Sequence, residues 1–143
     1  NASRTGDEVW DDLVTVGRTT TVADVVWLLG DRGWRPAVMG AWLSLRFRRD
    51  EVDAPLLQAL RESRGSLTAP PLAVAVVMFA SEGAEAALHE TRARTDDASI
   101  PYLDAALERL GADPMDDVST KHRAVFDALV SFAERLRAAL SAE

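Results

Sequence analysis

Apolar residues in this 143-residue chain recur every three or four positions over most of its length. This spacing places them on one face of an α-helix and predicts an all-α fold. Asp7–Val16 is a further candidate helix, although it contains the β-prone stretch Val14–Thr15–Val16. The predicted helices are Asp7–Val16, Thr21–Leu29, Pro36–Phe47, Glu51–Ser63, Pro70–Ala80, Glu82–Thr95, Ser99–Leu110 and Ser119–Leu140.

Prolines divide this pattern into repeating units. Pro36, Pro71 and Pro101 each precede or begin a helical run, where the missing N–H costs no intrahelical bond. A second helix follows each of these helices, which predicts three hairpins. They are Pro36–Phe47 with Glu51–Ser63, Pro70–Ala80 with Glu82–Thr95, and Ser99–Leu110 with Ser119–Leu140. Helix pairs with a period of 30 to 45 residues are typical of HEAT-like α-solenoids. Stacked antiparallel hairpins are therefore the expected architecture, and an irregular helical bundle is the alternative.

One predicted helix differs from the others because Leu72–Ala80 is apolar on every side. A helix of this kind is covered by neighbours all round, so we expect it to be the central element of the fold. Its nine apolar residues are too few to span a bilayer, and we expect a cytoplasmic protein. The whole chain, residues 1–143, is expected to form one domain, with 1–20 as a loosely attached segment.

Local polar residues predict where helices begin and end. Thr21, Asp50 and Ser99 stand just before helical runs, as N-capping residues do. Gly65 follows the end of one run. Asp116 or Asp117 is expected to cap the last helix.

Charge is distributed unevenly along the chain, whose net charge is −7. Residues 32–64 carry seven basic and four acidic side chains, whereas residues 82–117 carry three basic and ten acidic ones. In a stack of hairpins this difference would become a spatial separation of charge. We therefore expect a protein partner that is basic, and the acidic balance disfavours nucleic acid.

Candidate partner-binding residues follow from this distribution. The basic candidates are Arg46, Arg48 and Arg49, with Arg32, Arg35, Arg61 and Arg64 nearby in sequence. The acidic candidates are Glu82, Glu85, Glu90, Asp96 and Asp97. In each case the alternative is a solvated surface, because arginine is also favoured near a helix C-terminus without any partner.

Tryptophans are concentrated near the start of the chain. Trp10, Trp27, Trp34 and Trp42 all lie in the first 42 residues. Tryptophan and arginine are enriched in binding hot spots, and Trp34 and Arg35 combine them beside a glycine. The alternatives are that the rings fill a junction between hairpins, or that Trp27, Trp34 and Trp42 hold a small ligand.

Motifs for catalysis or cofactors are lacking. The sequence contains no GxxxxGK[ST], no GxGxxG after a strand and no GxSxG, and without cysteine it has no thiolate chemistry. His89 follows Glu82 and Glu85 on one helix face, but the second histidine of a zincin is missing. His122 has no identifiable partner. Asp113, Asp116 and Asp117 lack the spacing of a calcium loop. We expect no catalytic residue, metal or cofactor.

The stretch Trp34-Arg35-Pro36-x-x-x-Gly40-Ala41-Trp42 resembles a bacterial, mainly actinobacterial, helical family of unknown function. The resemblance continues through Leu72–Leu88 and Tyr102–Leu110. It implies a HEAT-like helical fold and transfers no catalytic residue. Small acidic proteins of this type often accompany toxin genes as immunity proteins.

The function expected from these features is a non-enzymatic protein-interaction module, in its narrowest form an immunity protein or antitoxin. Its acidic residues would cover a basic partner. Two alternatives remain: a small-ligand-binding protein using the tryptophans, and a HEAT-like DNA-handling enzyme using the arginines of 32–64.

Overall fold

The computed structural model describes residues 6–31, 33–113 and 115–142, and these contain eight α-helices and no strand. The predicted all-α class is confirmed, and each predicted helix corresponds to one observed helix. The helices are α1 (Gly6–Thr19), α2 (Val22–Gly30), α3 (Trp34–Ser44), α4 (Arg49–Glu62), α5 (Ala69–Phe79), α6 (Ala84–Arg92), α7 (Ile100–Arg109) and α8 (Thr120–Ser141).

Only part of the predicted capping is confirmed. Thr21 caps α2 through a reciprocal box, in which its hydroxyl accepts from Asp24 N–H at 3.2 Å and Asp24 accepts from Thr21 N–H at 2.9 Å. The prediction for Asp50 is wrong, because α4 begins at Arg49, two residues earlier than predicted, and its N-cap is Arg48. There the Glu51 carboxylate accepts from the backbone N–H of Arg48 at 3.1 Å.

The two later caps also differ from expectation. Ser99 stands at the N-cap position of α7 but makes no capping bond, and its N–H and hydroxyl instead donate to Asp96. For α8 the cap is Ser119, whose hydroxyl accepts from His122 N–H at 3.1 Å. Asp116 and Asp117 do not cap this helix. A serine in extended conformation directly before the helix is better placed for that bond.

Helix α5 is the centre of the fold, as its sequence predicted. Of its eleven residues, nine are buried, and the helix contacts α3, α4, α6, α7 and α8. The apolar side chains of this helix are therefore shielded from water on nearly every side. Burial of this kind is the main source of stability in a small helical domain.

The pairing of helices differs from the prediction for two of the three hairpins, whereas α7 and α8, the third expected pair, contact each other as predicted. The neighbours expected to form hairpins, α3 with α4 and α5 with α6, contact each other little. Extensive contacts join α2 to α3, α4 to α5 and α6 to α7. In addition, α2 packs on α4 and α4 on α6, while α3 packs on α5 and α5 on α7. The apolar face of a helix is visible in sequence, but the neighbour that covers it is not.

The long helix α8 packs against α5 and α7, and α1 packs against α8. Trp10 on α1 and Trp42 on α3 both meet the ring of Phe132 edge-on, with centroids 5.7 and 5.1 Å away. Arg18 donates from α1 to the carbonyl of Ala139 at 3.2 Å. Residues 6–19 are thus joined to the other helices by aromatic and polar contacts.

A helix that spans a bilayer needs about 20 predominantly apolar residues. No single helix among them is both long and apolar enough to cross a bilayer. Helices α1 and α2 reach that length and apolar character only when taken together, across a bend of 115°.

Candidate binding surfaces

A groove of about 850 Å³ lies where three inter-helix turns meet. These are the α2–α3 turn, the α4–α5 loop and the α6–α7 loop, which contributes Asp96. We call this the turn-end groove. It exists because α2 pairs with α3 and α4 with α5, so their connections emerge at the same end of the molecule. Its floor is apolar, formed by Leu29, Ala37, Ala59 and Leu72.

Local hydrogen bonds hold the walls of the groove in place. Asp31 accepts from Gly33 N–H at 2.7 Å, which fixes the α2–α3 turn. In the α4–α5 loop the hydroxyls of Ser63 and Thr68 lie 2.6 Å apart. Arg64 donates to the carbonyl of Arg61 at 2.7 Å, so its guanidinium is tied to the end of α4. These walls are defined before any partner binds.

Two large apolar side chains of the groove remain accessible to water. Trp34 is 45% exposed and Leu67 is 58% exposed. The guanidinium carbon of Arg35 lies 4.9 Å from the Trp34 ring centroid, a cation–π distance that steadies the ring. An exposed tryptophan and leucine in one concave site are suited to hold apolar groups of a partner.

The charge lining the groove is negative. Its ionisable residues are Asp31, Glu62, Asp96 and Arg64. Each carboxylate has one oxygen bound within the chain: Asp31 to Gly33 N–H, Asp96 to Ser99, and Glu62 to the Gln58 side chain at 2.8 Å. Within the part of the chain that the structure describes, the second oxygen of each has no hydrogen-bond partner. These oxygens are available to a cationic group.

Of the basic candidates, Arg46, Arg48 and Arg49 lie away from this groove, at the opposite ends of α3 and α4. Arg64 lines the groove, and Arg35 lies over Trp34. Arg46 is half-buried, donates to the backbone carbonyl of Thr20 and lies over the Phe47 ring. Arg48 is exposed and lies 3.7 Å from Asp50. Arg49 is exposed on the first turn of α4. Arg32 lies outside the described residues.

The acidic candidates are divided between the two ends of the molecule. Glu82 and Glu85 are exposed around the α5–α6 turn, the end at which Ser81 donates to Asp53 of α4. Glu90 lies farther along α6 and forms an ion pair with Arg61 at 2.7 Å. Asp96 lines the groove, and Asp97 is exposed beside it.

Much of the charge in residues 82–117 is neutralised inside the molecule. Asp104 is buried and binds Arg92, whose guanidinium also contacts Asp116 at 2.7 Å. Glu108 pairs with Arg123 through both carboxylate oxygens at 2.8 and 3.0 Å. The negative net charge of this segment therefore does not produce one continuous acidic surface.

The tryptophans do not converge on one site. Trp42 is buried against Phe132, whereas Trp34 lines the turn-end groove. Trp27 is 68% exposed and lines a separate, smaller cavity of about 370 Å³. The three rings expected to hold a ligand together therefore belong to three different environments.

No group of three or more histidines, aspartates and glutamates arranged to hold a metal ion occurs among residues 6–31, 33–113 and 115–142. His89 lies 3.9 Å from Glu85 as an ordinary pair on one helix. His122 is held by Ser119 and packs edge-on against Tyr102. Pro114, which interrupts the chain before α8 in sequence, lies outside the described residues.

Sequence reasoning missed three contributors to the groove: Asp31, Glu62 and Leu67. A leucine inside a loop of glycine, serine and threonine was the one available signal, because a loop leucine without a core position is unusual. Asp31 and Glu62 lie 31 positions apart, and no periodicity connects them. Comparison with known proteins gives no match for this chain among family models, curated proteins or solved structures.

Proposed function

We propose that this protein is a non-enzymatic interaction module that binds an extended basic segment of another protein in the turn-end groove. The observation that carries the proposal is the groove itself, where exposed Trp34 and Leu67 lie beside three carboxylates and one arginine. Apolar contact would supply affinity and the carboxylates would select cationic segments.

The narrower proposal is an immunity protein or antitoxin that covers the basic site of a toxin. The net charge of −7 supports it, because opposite charges accelerate association. It also explains why the candidate residues Trp34 and Asp96 would lie in one groove although 62 positions separate them.

The finer architecture belongs to the same proposal. We infer that α2 to α7 form three stacked hairpins of HEAT-like type, supported by the contacts of α2, α4 and α6 in one row and of α3, α5 and α7 in another. An array of this kind presents its turns along one edge. We also propose that the chain belongs to the bacterial family that it resembles in its Trp-Arg-Pro motif.

The test uses a short extended peptide of repeating Arg-Leu-Ser and its Glu-Leu-Ser analogue. Binding is followed by NMR through the four tryptophan indole N–H signals and the Leu67 amide. We expect the arginine peptide to shift Trp34 and Leu67, and the Trp34→Ala variant to weaken binding by about tenfold or more. Raising the salt concentration should also weaken binding.

Trp27→Ala is the matched control, because it removes an exposed tryptophan that does not line the groove. It should leave the affinity for the arginine peptide unchanged. Equal binding of both peptides would contradict the charge selection. If the arginine peptide did not perturb Trp34, the assignment of the groove would be overturned.

A second candidate is a small-ligand site, favoured by the groove volume of about 850 Å³, which lies within the usual range for such sites. A metabolite library tested by ligand-observed NMR against the wild type and Trp34→Ala would reveal it. A DNA-handling role has less support, because Arg46 and Arg64 are bound to backbone carbonyls and Arg61 is paired with Glu90.

A further inference from the structure

Five of the eight glycines in this chain are explained by the fold itself. A Cβ at Gly17, Gly33 or Gly40 would lie 3.0 Å or less from an atom of a neighbouring side chain. Gly83 and Gly111 have positive φ angles of 90° and 81°, which residues with a side chain rarely adopt. Either close packing or backbone geometry therefore accounts for each of these five positions.

Neither reason applies to Gly6, Gly30 and Gly65. None of the three has a positive φ, and a Cβ at any of them would meet nothing within 4 Å. Glycine is nevertheless unfavourable there, because it loses more conformational freedom on folding than any other residue. Gly30 lies within α2, where alanine would be the more stable residue. Two of the three, Gly30 and Gly65, line the turn-end groove.

Gly30 and Gly65 belong to different walls of the groove. Gly30 is the last residue of α2, beside the α2–α3 turn, and Gly65 lies in the α4–α5 loop. The Gly65 carbonyl accepts from the N–H groups of Thr68 and Ala69 at 3.3 and 3.1 Å, which fixes this loop at the start of α5. The Gly65 N–H has no hydrogen-bond partner in the part of the chain that the structure describes. Two ordered positions without side chains leave room for the backbone of another chain to approach closely.

We propose that Gly30 and Gly65 determine which segments enter the turn-end groove, because the main chain of the bound partner lies against them. The inference rests on the proposed function and adds that the partner's main chain, and not only its side chains, is recognised. Trp34 and Leu67 then contact apolar side chains of that segment, and the Gly65 N–H donates to one of its carbonyls. A methyl group at either glycine would hold the main chain away from the groove and weaken these contacts.

The experiment adds one methyl group at a time and measures affinity and stability together. The probe is the Arg-Leu-Ser peptide, and its binding to the full chain is measured by calorimetry. We expect Gly30→Ala and Gly65→Ala each to weaken binding by about tenfold, and Gly65→Leu to weaken it further. The thermal unfolding temperature of both alanine variants should stay the same or rise, because alanine restricts the unfolded chain and meets no neighbour here. Weaker binding by a protein as stable as the wild type is the result that a purely structural role would not produce.

Gly6→Ala is the matched control, because it also adds a methyl group in open space but does not line the groove. It should bind the peptide as the wild type does. Wild-type affinity in Gly30→Ala and Gly65→Ala, with Trp34→Ala still weakening binding, would overturn this inference and leave the proposed function intact. Weaker binding accompanied by a lower unfolding temperature would overturn it as well. If the wild type did not bind the peptide, the proposed function and this inference would both fail.

Discussion

Arg92 on α6 donates hydrogen bonds to both carboxylate oxygens of Asp104 on α7, at 2.9 and 3.3 Å. The Asp104 side chain is 2% exposed and that of Arg92 is 17% exposed. The hydrogen bond that Arg92 donates to Asp104 is the main cause that raises the pKa of Arg92, which therefore stays charged. A buried charge of this kind depends on its partner, because isolated it would lose its hydration without compensation.

Removing the carboxylate charge should therefore be costly. We expect Asp104→Asn to lower the free energy of unfolding by about 1–3 kcal/mol, because Arg92 loses its buried charged partner and keeps only the exposed carboxylate of Asp116. The measurement is denaturant unfolding followed by circular dichroism.

Asp116→Asn supplies the matched control for this pair. Asp116 also binds Arg92, but its side chain is 75% exposed, and the expected loss is below about 1 kcal/mol. Similar losses of unfolding free energy in the two variants would show that burial does not determine how much each ion pair with Arg92 contributes to stability.

The close contact between α2 and α3 depends on Gly40. A Cβ placed there would lie 2.9 Å from Cγ of Leu29 and 3.1 Å from its backbone nitrogen. Because backbone cannot move aside cheaply, we expect Gly40→Ala to destabilise the fold by about 1–3 kcal/mol, less the helix-propensity gain of alanine. Thermal unfolding measures the effect.

Gly30→Ala is the control for helix propensity. Gly30 ends α2, and a Cβ there meets nothing within 4 Å. This variant should be neutral or slightly stabilising. A Gly40→Ala variant as stable as Gly30→Ala would contradict the proposed close packing.

Ala80 follows the last residue of α5 with φ 46° and ψ 47°, the left-handed region that glycine adopts without strain. Its N–H bonds to the carbonyls of Val76 and Val77 and so closes the helix. We expect Ala80→Gly to raise the free energy of unfolding by about 0.5–1 kcal/mol. Differential scanning calorimetry provides the measurement.

The reciprocal control is Gly111→Ala. Gly111 has φ 81°, and a Cβ there meets nothing within 4 Å, so only backbone strain changes. It should destabilise the protein. If Ala80→Gly also destabilised it, the left-handed geometry at Ala80 would be excluded.

The ion pair of Glu108 with Arg123 should make the stability of the fold depend on pH. Hydrogen bonds from Arg123 hold the pKa of Glu108 below its ordinary value of 4.5. Since the folded-state pKa is lower than the unfolded one, the pair stabilises the fold above the ordinary glutamate range. This contribution is lost as the pH falls through the lowered pKa. In Arg123→Gln, an NMR titration should find the pKa of Glu108 raised toward its ordinary value.

Arg49→Gln removes the same charge from an exposed position at the start of α4. The pKa of Glu108 should be unaffected by it. An equal change in both variants would attribute the shift to net charge rather than to the bond from Arg123.

The sequence by itself determined the helices, the central place of α5 and the capping of α2 by Thr21. These depend on hydrogen bonds and periodicity within a few residues, or on an apolar surface that must be covered from every side. It also singled out Trp34 and Asp96, both of which line the turn-end groove. The negative net charge and the lack of cysteine follow from the residue counts alone.

Only the tertiary structure decided which helices pair, and therefore where the turns meet. An apolar stripe is compatible with several neighbours, so the expected α3–α4 and α5–α6 hairpins could not be distinguished from the observed pairs. Ion pairs such as Arg61 with Glu90 and Arg92 with Asp104 join different helices and cancel charges that a segment sum counts in full. Electrostatics and concave surfaces depend on distances in space, and the spacing of residues along a chain does not determine those distances.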